Sequence, residues 1–99
     1  MRIAWTVRAG SDLRLVRARI AQDNPDAAKA TAARILDAVE RLTDFPASGR
    51  QGRVPNTREL VIDGTPFVLP YRVKGEVIEI LGIIHGARKW PWVFEFNSK

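Results

Sequence analysis

Four residues in the second half of the chain carry the functional groups that metal-free RNA cleavage needs. Cleavage through a 2′-hydroxyl requires a base, an acid and a cation that steadies the charge on the phosphate. Glu59, Arg72 and His85 lie on three successive β-type segments, and Arg88 follows the last of them. Adjacent antiparallel strands can bring Arg72 near the line of His85, with Glu59 on the same face of the neighbouring strand. The pattern predicts a site in which His85 or Glu59 is the base, while Arg72 and Arg88 bind phosphate.

His85 and Arg72, and two tryptophans near the C-terminus, also have structural interpretations. A histidine at the end of a strand is more often partly buried and hydrogen-bonded to backbone than catalytic. Arg72 fits an ion-paired residue on a strand as well as a functional one. Trp90 and Trp92 are more often packing residues than platforms for stacking bases. At these four positions, a structural role is therefore an alternative to the chemical one.

The composition excludes several other kinds of site. The 99 residues include no Cys and one His, which excludes a disulfide scaffold, a cysteine nucleophile and a zinc site built from several Cys or His. The sequence has no P-loop, G-x-G-x-x-G or H-E-x-x-H motif, and we expect no metal and no organic cofactor. No apolar run approaches the roughly 20 residues of a membrane span, and the first ten residues lack the apolar core of a signal peptide. We expect a cytoplasmic protein with a single domain over residues 1–99.

The charge balance points to an acidic partner. Sixteen Lys and Arg against eleven Asp and Glu give a formal charge of +5, and twelve of the sixteen cations are Arg. Arginine favours bidentate contacts with phosphate or carboxylate, although a coding bias would also enrich it. Nucleic acid, a nucleoprotein machine or an acidic protein would each suit such a surface.

The first half of the chain predicts one strand and two helices. Residues 3–7 alternate between apolar and polar side chains, which predicts a strand. Ser11 is a natural N-cap for a helix over residues 11–22. Asn24 can cap a second helix that begins at Pro25 and runs to Thr43, because proline suits the first helical position. The short break between the helices predicts an antiparallel helical hairpin.

The second half predicts three strands after a loop. Residues 45–56 form the loop, and we expect its basic stretch over residues 49–53 to be mobile. Residues 57–62, 67–74 and 77–85 predict an antiparallel meander. Pro70 lies inside the middle strand and cannot donate to the ladder, so we expect a bulge or an unpaired stretch there. The remaining residues, 86–99, could add a short strand or clasp.

This order predicts an α+β fold, β-α-α-β-β-β, with the helical hairpin packed on one face of a small antiparallel sheet. The face assigned to the helices carries Leu60, Ile62, Phe67, Leu69, Tyr71, Val73, Ile78, Ile80 and Ile84. The opposite face carries Glu59, Val61, Val68, Arg72, Lys74, Val77, Glu79, Leu81, Ile83 and His85. Because an apolar patch left open on a small protein often marks a contact surface, we expect a partner to cover Val61, Val68, Leu81 and Ile83.

Short motifs follow one another along nearly the whole chain. They are Asp12-Leu13, Ile20-Ala21, Asn24-Pro25, Phe45-Pro46, Gly49-Arg50, Arg58-Glu59-Leu60, Tyr71-Arg72-Val73, Val77-Ile78-Glu79-Ile80-Leu81 and His85-Gly86-Ala87-Arg88-Lys89-Trp90-Pro91. This ordered set resembles the RelE/ParE toxin superfamily. The order is specific to the superfamily and much less so to one branch of it.

The resemblance implies the toxin of a type II toxin–antitoxin pair, neutralised by a cognate antitoxin that wraps it. An antitoxin segment that folds as it binds would cover the mixed apolar face. RelE-like members cut mRNA in the ribosomal A site, whereas ParE-like members poison DNA gyrase and cut no RNA. RelE-like enzymes place a basic residue at the start of the middle strand and a tyrosine near the C-terminus. Here Phe67 opens that strand, and Tyr71 is the only tyrosine.

These departures favour the ParE-like branch and a protein that is not an enzyme. Its contact surface for gyrase would then be Arg72, Arg88, Lys89 and Trp90. The alternative is a ribosome-dependent endoribonuclease that uses the four residues described first. A third possibility is a decayed toxin that has kept only antitoxin binding and operon autoregulation.

Overall fold

The computed structural model describes residues 1–86 as two helices and six strands. In chain order these are β1 (Arg2–Trp5), α1 (Val7–Asp23), α2 (Pro25–Arg41), β2 (Arg50–Gln51), β3 (Arg58–Val61), β4 (Phe67–Lys74), β5 (Val77–Ile80) and β6 (Ile84–His85). The predicted α+β class and element order are confirmed, with the loop and the third predicted strand each contributing an additional short strand.

The sheet is mixed, whereas the sequence predicts an antiparallel one. Its strand order is β1-β5-β4-β3-β2, and β6 pairs with β4 beyond the end of β5. β1 runs parallel to β5, with Arg2 opposite Val77 and Trp5 opposite Ile80, while the other pairs are antiparallel. Parallel neighbours need a long crossover, and here the helical hairpin and three strands supply it.

The hairpin packs on one face of this sheet, as predicted. Ala9 of α1 and Ile35 and Val39 of α2 join Tyr71 and Ile78 of the sheet in one apolar core. Leu60 and Phe67 are partly buried and pack against the same core. The face assigned to the helices from the sequence is therefore correct along β3, most of β4 and β5.

The first helix starts four residues earlier than the sequence predicts. Thr6 is its N-cap: the backbone there is extended, and the side-chain Oγ1 accepts a hydrogen bond from the Ala9 amide at 3.1 Å. The same hydroxyl donates to the Ile80 carbonyl at 2.8 Å, which ties the cap to the sheet. Ser11 lies inside the helix, so its predicted capping role is wrong; a cap already formed at the end of β1 takes precedence over a later one.

The second helix begins as predicted. The Asn24 side chain accepts from the Ala27 amide at 3.1 Å, and Pro25 occupies the first turn. Asn24 also ends the first helix, because its own N–H donates to the Ile20 carbonyl at 2.9 Å. One residue therefore closes one helix and opens the next, which fixes the tight turn of the hairpin.

A bulge at Pro70 reverses the faces of the last strand. Tyr71 lies opposite Ile80, but Val68 lies opposite Ile84, so two residues of β4 face the three residues 81–83. Pro70 has no N–H to give at this point, and its carbonyl accepts from the Leu81 amide at 2.9 Å. The predicted disruption at Pro70 is confirmed, but the additional residue lies in the facing stretch 81–83 and not in β4. One extra residue moves every later side chain to the other face.

The open apolar patch expected on the face away from the helices is closed. Val68, Leu81 and Ile84 form a second, smaller buried cluster, and Val54 packs over it. Ile83 belongs to the main core instead, because the bulge turns it towards the helices. Of the four residues expected to be left open for a partner, Val61 alone is exposed. The expectation fails because Val54, in the segment before β3, packs over this cluster.

The loop before β3 is tied to the sheet rather than loose. The Tyr71 hydroxyl donates to the Pro46 carbonyl at 2.7 Å and accepts from the Gly49 amide at 2.9 Å. Arg58 donates through Nη1 to the Gly49 carbonyl at 2.8 Å. Position 49 must be glycine, because a Cβ there would lie 2.7 Å from the Tyr71 ring. These bonds hold the stretch that the sequence suggested would be mobile.

Candidate functional site

Glu59 is buried within a closed set of hydrogen bonds. Its side chain is 1% exposed, and Oε1 accepts from Arg50 Nη2 at 3.2 Å and from Arg53 Nη2 at 3.3 Å. Oε2 accepts from Arg53 Nε at 3.1 Å and from the Arg53 backbone N–H at 3.0 Å. A buried carboxylate is stable when cations and hydrogen bonds satisfy it in this way. The contacts favour a role in holding residues 50–53 on the sheet over a role as a base.

Arg72 lies on the same face of the sheet as Glu59, as the sequence predicts. The register places Glu59 opposite Pro70, two residues before Arg72 on β4. Arg72 lies opposite Glu79 and donates to it through Nε. Its side chain is 34% exposed, so the guanidinium is ion-paired and still reaches solvent.

His85 lies on the other face and at the other end of β4. It pairs with Phe67, and the two rings meet edge to face with centroids 6.2 Å apart. Phe67 and Arg72 are five residues apart on one strand, a separation of about 17 Å. The expected cluster of Glu59, Arg72 and His85 is therefore not formed, because the bulge reverses the face of the last strand.

The remaining predicted contact residues, Arg88, Lys89 and Trp90, lie outside the described residues, as does the expected strand or clasp near the C-terminus. Within residues 1–86, no group of three or more His, Cys, Asp and Glu residues is placed to hold a metal ion. Over the same range, no helix has the combination of length and apolar character that membrane crossing requires.

A groove of about 610 Å³ opens between α1 and the paired ends of β4 and β6. We call it the α1 groove. Its apolar lining is Leu15, Val16, Ile20, Phe67, Ile83 and Ile84, and its polar lining is Arg8, Asp12, Arg19, Asp23, Asn24 and His85. Leu15 is 64% exposed and lies among the apolar residues that line the groove. The groove has the size and character of a binding site.

Asp12 holds the wall of the α1 groove in place. Its Oδ2 accepts from the Ile83 amide at 3.0 Å, and its Oδ1 accepts from Arg8 Nε at 3.2 Å. The first of these bonds connects the helix to the bulged stretch of the sheet. Sequence reasoning assigned Asp12 only to the positive end of the helix, because no local pattern reveals a partner 71 residues away.

A family model described as the ParE toxin of the type II toxin–antitoxin system parDE matches residues 3–90. The chain belongs to this ParE toxin family. It is similar to a candidate toxin, Y4kP, of Sinorhizobium fredii (strain NBRC 101917 / NGR234), with 48% identity over 92 residues, covering 93% of this chain and 95% of that protein. It is also similar to toxin RelE2 of Caulobacter vibrioides (strain ATCC 19089 / CIP 103742 / CB 15), with 37% identity over 86 residues, covering 87% of this chain and 96% of that protein.

A solved structure agrees with this family assignment. A chain of the chromosomal ParDE TA system from P. aeruginosa matches with a TM-score of 0.77 and 32% identity, covering 86% of this chain and 95% of that one. The RelE/ParE resemblance inferred from the sequence motifs is thus confirmed, together with the fold it implies. Membership of a type II toxin family implies an antitoxin as partner.

Proposed function

We propose that this ParE-family toxin acts on DNA gyrase in the cytoplasm and inhibits it without cleaving RNA. The observation that carries the proposal is the separation of the groups that RNA cleavage would need. Arg72 and His85 lie on opposite faces of the sheet, about 17 Å apart along β4. A base and a phosphate-binding cation must reach the same reacting group, because proton transfer needs hydrogen-bond distance.

Two further observations support a toxin that does not cleave RNA. The Glu59 carboxylate already accepts four hydrogen bonds from Arg50 and Arg53. The Tyr71 side chain is 0% exposed, with its hydroxyl bonded within the protein, so the only tyrosine is inaccessible to a target. The contact residues proposed for gyrase are Arg72, Arg88, Lys89 and Trp90. Arg72 lies in the described part of the chain, and its side chain is accessible.

A supercoiling assay tests the target directly. Purified gyrase, relaxed plasmid and ATP are incubated with the full-length toxin, and we expect supercoiling to stop. Toxin mixed beforehand with its antitoxin is the matched control and should leave gyrase active. In parallel, primer extension on abundant mRNAs from toxin-arrested cells should show no new ends. Unimpaired supercoiling by toxin that still arrests growth would contradict the proposal.

The second candidate function is ribosome-dependent mRNA cleavage, and the position of His85 favours it. His85 is exposed at the α1 groove beside the ring of Phe67, and a base can stack on such a ring. This function predicts mRNA breaks in phase with codons. His85→Ala would then reduce cleavage by orders of magnitude while the protein still folds and binds antitoxin. Cleavage at the wild-type rate in that variant would exclude a catalytic role for His85.

For the antitoxin, we propose the α1 groove as the docking site. Of the residues predicted from the sequence for this role, Ile83 lines the groove, Val61 is exposed elsewhere, and Val68 and Leu81 are buried. The exposed Leu15 beside an apolar lining suits an apolar segment of a partner that folds as it binds. The antitoxin is the partner that the family implies, and its apolar residues would occupy the groove.

Leu15→Glu tests this docking site, because it places a charge at the rim of the groove. We expect co-purification with the antitoxin of the adjacent reading frame to fall at least tenfold. Leu36→Glu is the matched control, since Leu36 is also exposed, at 47%, but does not line the α1 groove. Equal retention of antitoxin by the two variants would show that the antitoxin docks elsewhere.

A further inference from the structure

The side-chain charge of the described residues is concentrated on one side of the sheet. The face opposite the helices, which we call the helix-free face, carries the cations Arg2, Arg50, Arg53, Arg72 and Lys74 and the anions Glu59 and Glu79. These five cations and two anions give this face a charge of +3. The other residues of 1–86 carry eight cations and eight anions and contribute no net charge.

The cations on this face stand in rows that cross the strands. Arg2 lies opposite Val77, which in turn lies opposite Lys74. Arg50 lies opposite Glu59, and Glu59 lies opposite Pro70, at the far side of the sheet from Arg2. The two outer strands are four strand spacings apart, which is about 19 Å. That width equals the rise of five to six base pairs, roughly, in a nucleic acid duplex.

Glu59 fixes two of these arginines at the surface. The carboxylate is 1% exposed, whereas the side chain of Arg50 is 59% exposed and that of Arg53 is 39% exposed. Its hydrogen bonds therefore orient both guanidinium groups from below while each still reaches solvent. Arginine side chains held in place lose less conformational freedom when they bind an anion. The planar guanidinium group also matches the geometry of phosphate oxygens, so both arginines can bind a phosphate through paired hydrogen bonds.

We propose that the helix-free face binds the phosphodiester backbone of a nucleic acid, with Arg50 and Arg53 as its fixed contacts and Arg72 and Lys74 completing the surface. The proposal goes beyond the proposed function, because it requires neither gyrase nor antitoxin. A contact of this kind reads no base sequence, since phosphate contacts set position and affinity alone. The toxin would therefore carry its own affinity for the DNA or RNA at which its target works.

Fluorescence anisotropy with two labelled probes tests the proposal. A duplex DNA and a single-stranded RNA, each of about 20 nucleotides, long enough to span the face, are titrated with the full-length toxin at several salt concentrations. Four phosphate contacts predict a slope of about −3.6 for log K against log salt on duplex DNA and about −2.8 on single-stranded RNA. The probe bound more tightly identifies the source of the phosphodiester.

Arg50→Ala removes one contact and Arg17→Ala is its matched control. Arg17 is an exposed arginine of α1 and lies outside the helix-free face, so both variants lower the net charge equally. We expect Arg50→Ala to reduce the steepness of the slope by about 0.9 and to weaken binding about eightfold at 0.1 M salt, with Arg17→Ala unchanged. Lys74→Ala provides a second variant on the same face in case Arg50→Ala is poorly folded.

Three results would overturn the proposal. The first is the absence of binding to either probe at low salt. The second is binding that does not depend on salt, since release of counterions is the expected driving force. The third is an equal loss in Arg17→Ala and in the two variants of the helix-free face, which would show that total charge matters and this face does not. A gyrase assay plays no part in these outcomes, so they are independent of the proposed target.

Discussion

The two sides of the sheet differ in what they bury and in what they leave exposed. On the helix side, the α1 groove leaves apolar side chains open, including Leu15 at its rim. On the helix-free face, the apolar residues Val68, Leu81 and Ile84 are covered by Val54, and charged residues remain accessible. The helix side therefore offers an apolar surface, and the helix-free face offers a charged one. The difference indicates that the two sides suit two partners of different chemistry.

The two sides also differ in how they are closed. Helices cover the main core. On the helix-free face, the segment of residues 50–57 contributes Val54, which packs over the small cluster, and Glu59 accepts a hydrogen bond from Arg53 of the same segment. A core packed between helices and sheet contains many mutually supporting contacts. A cluster of three residues under one segment contains few, so it should tolerate change better. The three predictions that follow test this contrast.

The largest effect is expected from truncating a neighbouring pair of residues that face opposite sides. Ile80 is 0% exposed in the main core, and Leu81 is 2% exposed in the small cluster. We expect Ile80→Ala to lower the free energy of unfolding by about 4 kcal/mol and Leu81→Ala by about 2 kcal/mol, because the thin cluster can collapse around the gap. Urea denaturation measures both. Equal losses would mean that the two sides are equally well packed.

An intermediate effect is expected from the buried carboxylate. Glu59→Gln leaves Arg50 and Arg53 without their counter-charge and should lower the free energy of unfolding by about 2 to 3 kcal/mol, less than for a fully buried pair because both arginines reach solvent. Glu79→Gln is the control, since its pair with Arg72 is at the surface and should be worth less than about 1 kcal/mol. If the two variants unfold at the same denaturant concentration, Glu59 does not anchor the 50–57 segment.

The smallest effect is expected at the start of the helix that forms the groove wall. Thr6→Ala removes the cap bond to Ala9 and the bond to the Ile80 carbonyl, and should destabilise the protein by about 1 to 1.5 kcal/mol. Ser11→Ala lies inside the helix and should change stability by less than about 0.5 kcal/mol. Thermal unfolding followed by circular dichroism compares them. A larger loss in the serine variant would contradict the observed helix start.

The parts of the fold that could be predicted from the sequence are those with local signals. Asn24 and Pro25 mark a helix start by their own chemistry, and the alternation over residues 67–74 gives the exact bounds of β4. The pairing of β1 with β5 has no such signal, because it joins residues about 75 positions apart. The start of α1 differs for another reason: Thr6 and Ser11 are both suitable N-cap residues, and the bond from the Thr6 hydroxyl to the Ile80 carbonyl, which favours Thr6, is not visible in the sequence.

The candidate site was predicted in part. Glu59 and Arg72 do share a face, because alternation along unbroken strands fixes it. His85 lies on the other face. The sequence predicts a disruption at Pro70, but it does not show which of the two paired strands carries the additional residue. The burial of Glu59 depends on Arg50 and Arg53 folding back over the sheet, and a sequence read as a mobile loop gives no sign of that contact.

The parallel pairing of β1 with β5 has a consequence for the timing of synthesis. Residues 2–5 leave the ribosome first, yet their partners at residues 77–80 follow about 75 residues later. At 5 to 20 residues per second, roughly, the first strand waits about 4 to 15 seconds for its neighbour. The helical hairpin can form during that interval, but the sheet cannot close. A growing chain of this toxin family thus stays incompletely folded during most of its translation, which leaves time for an antitoxin already present to meet it.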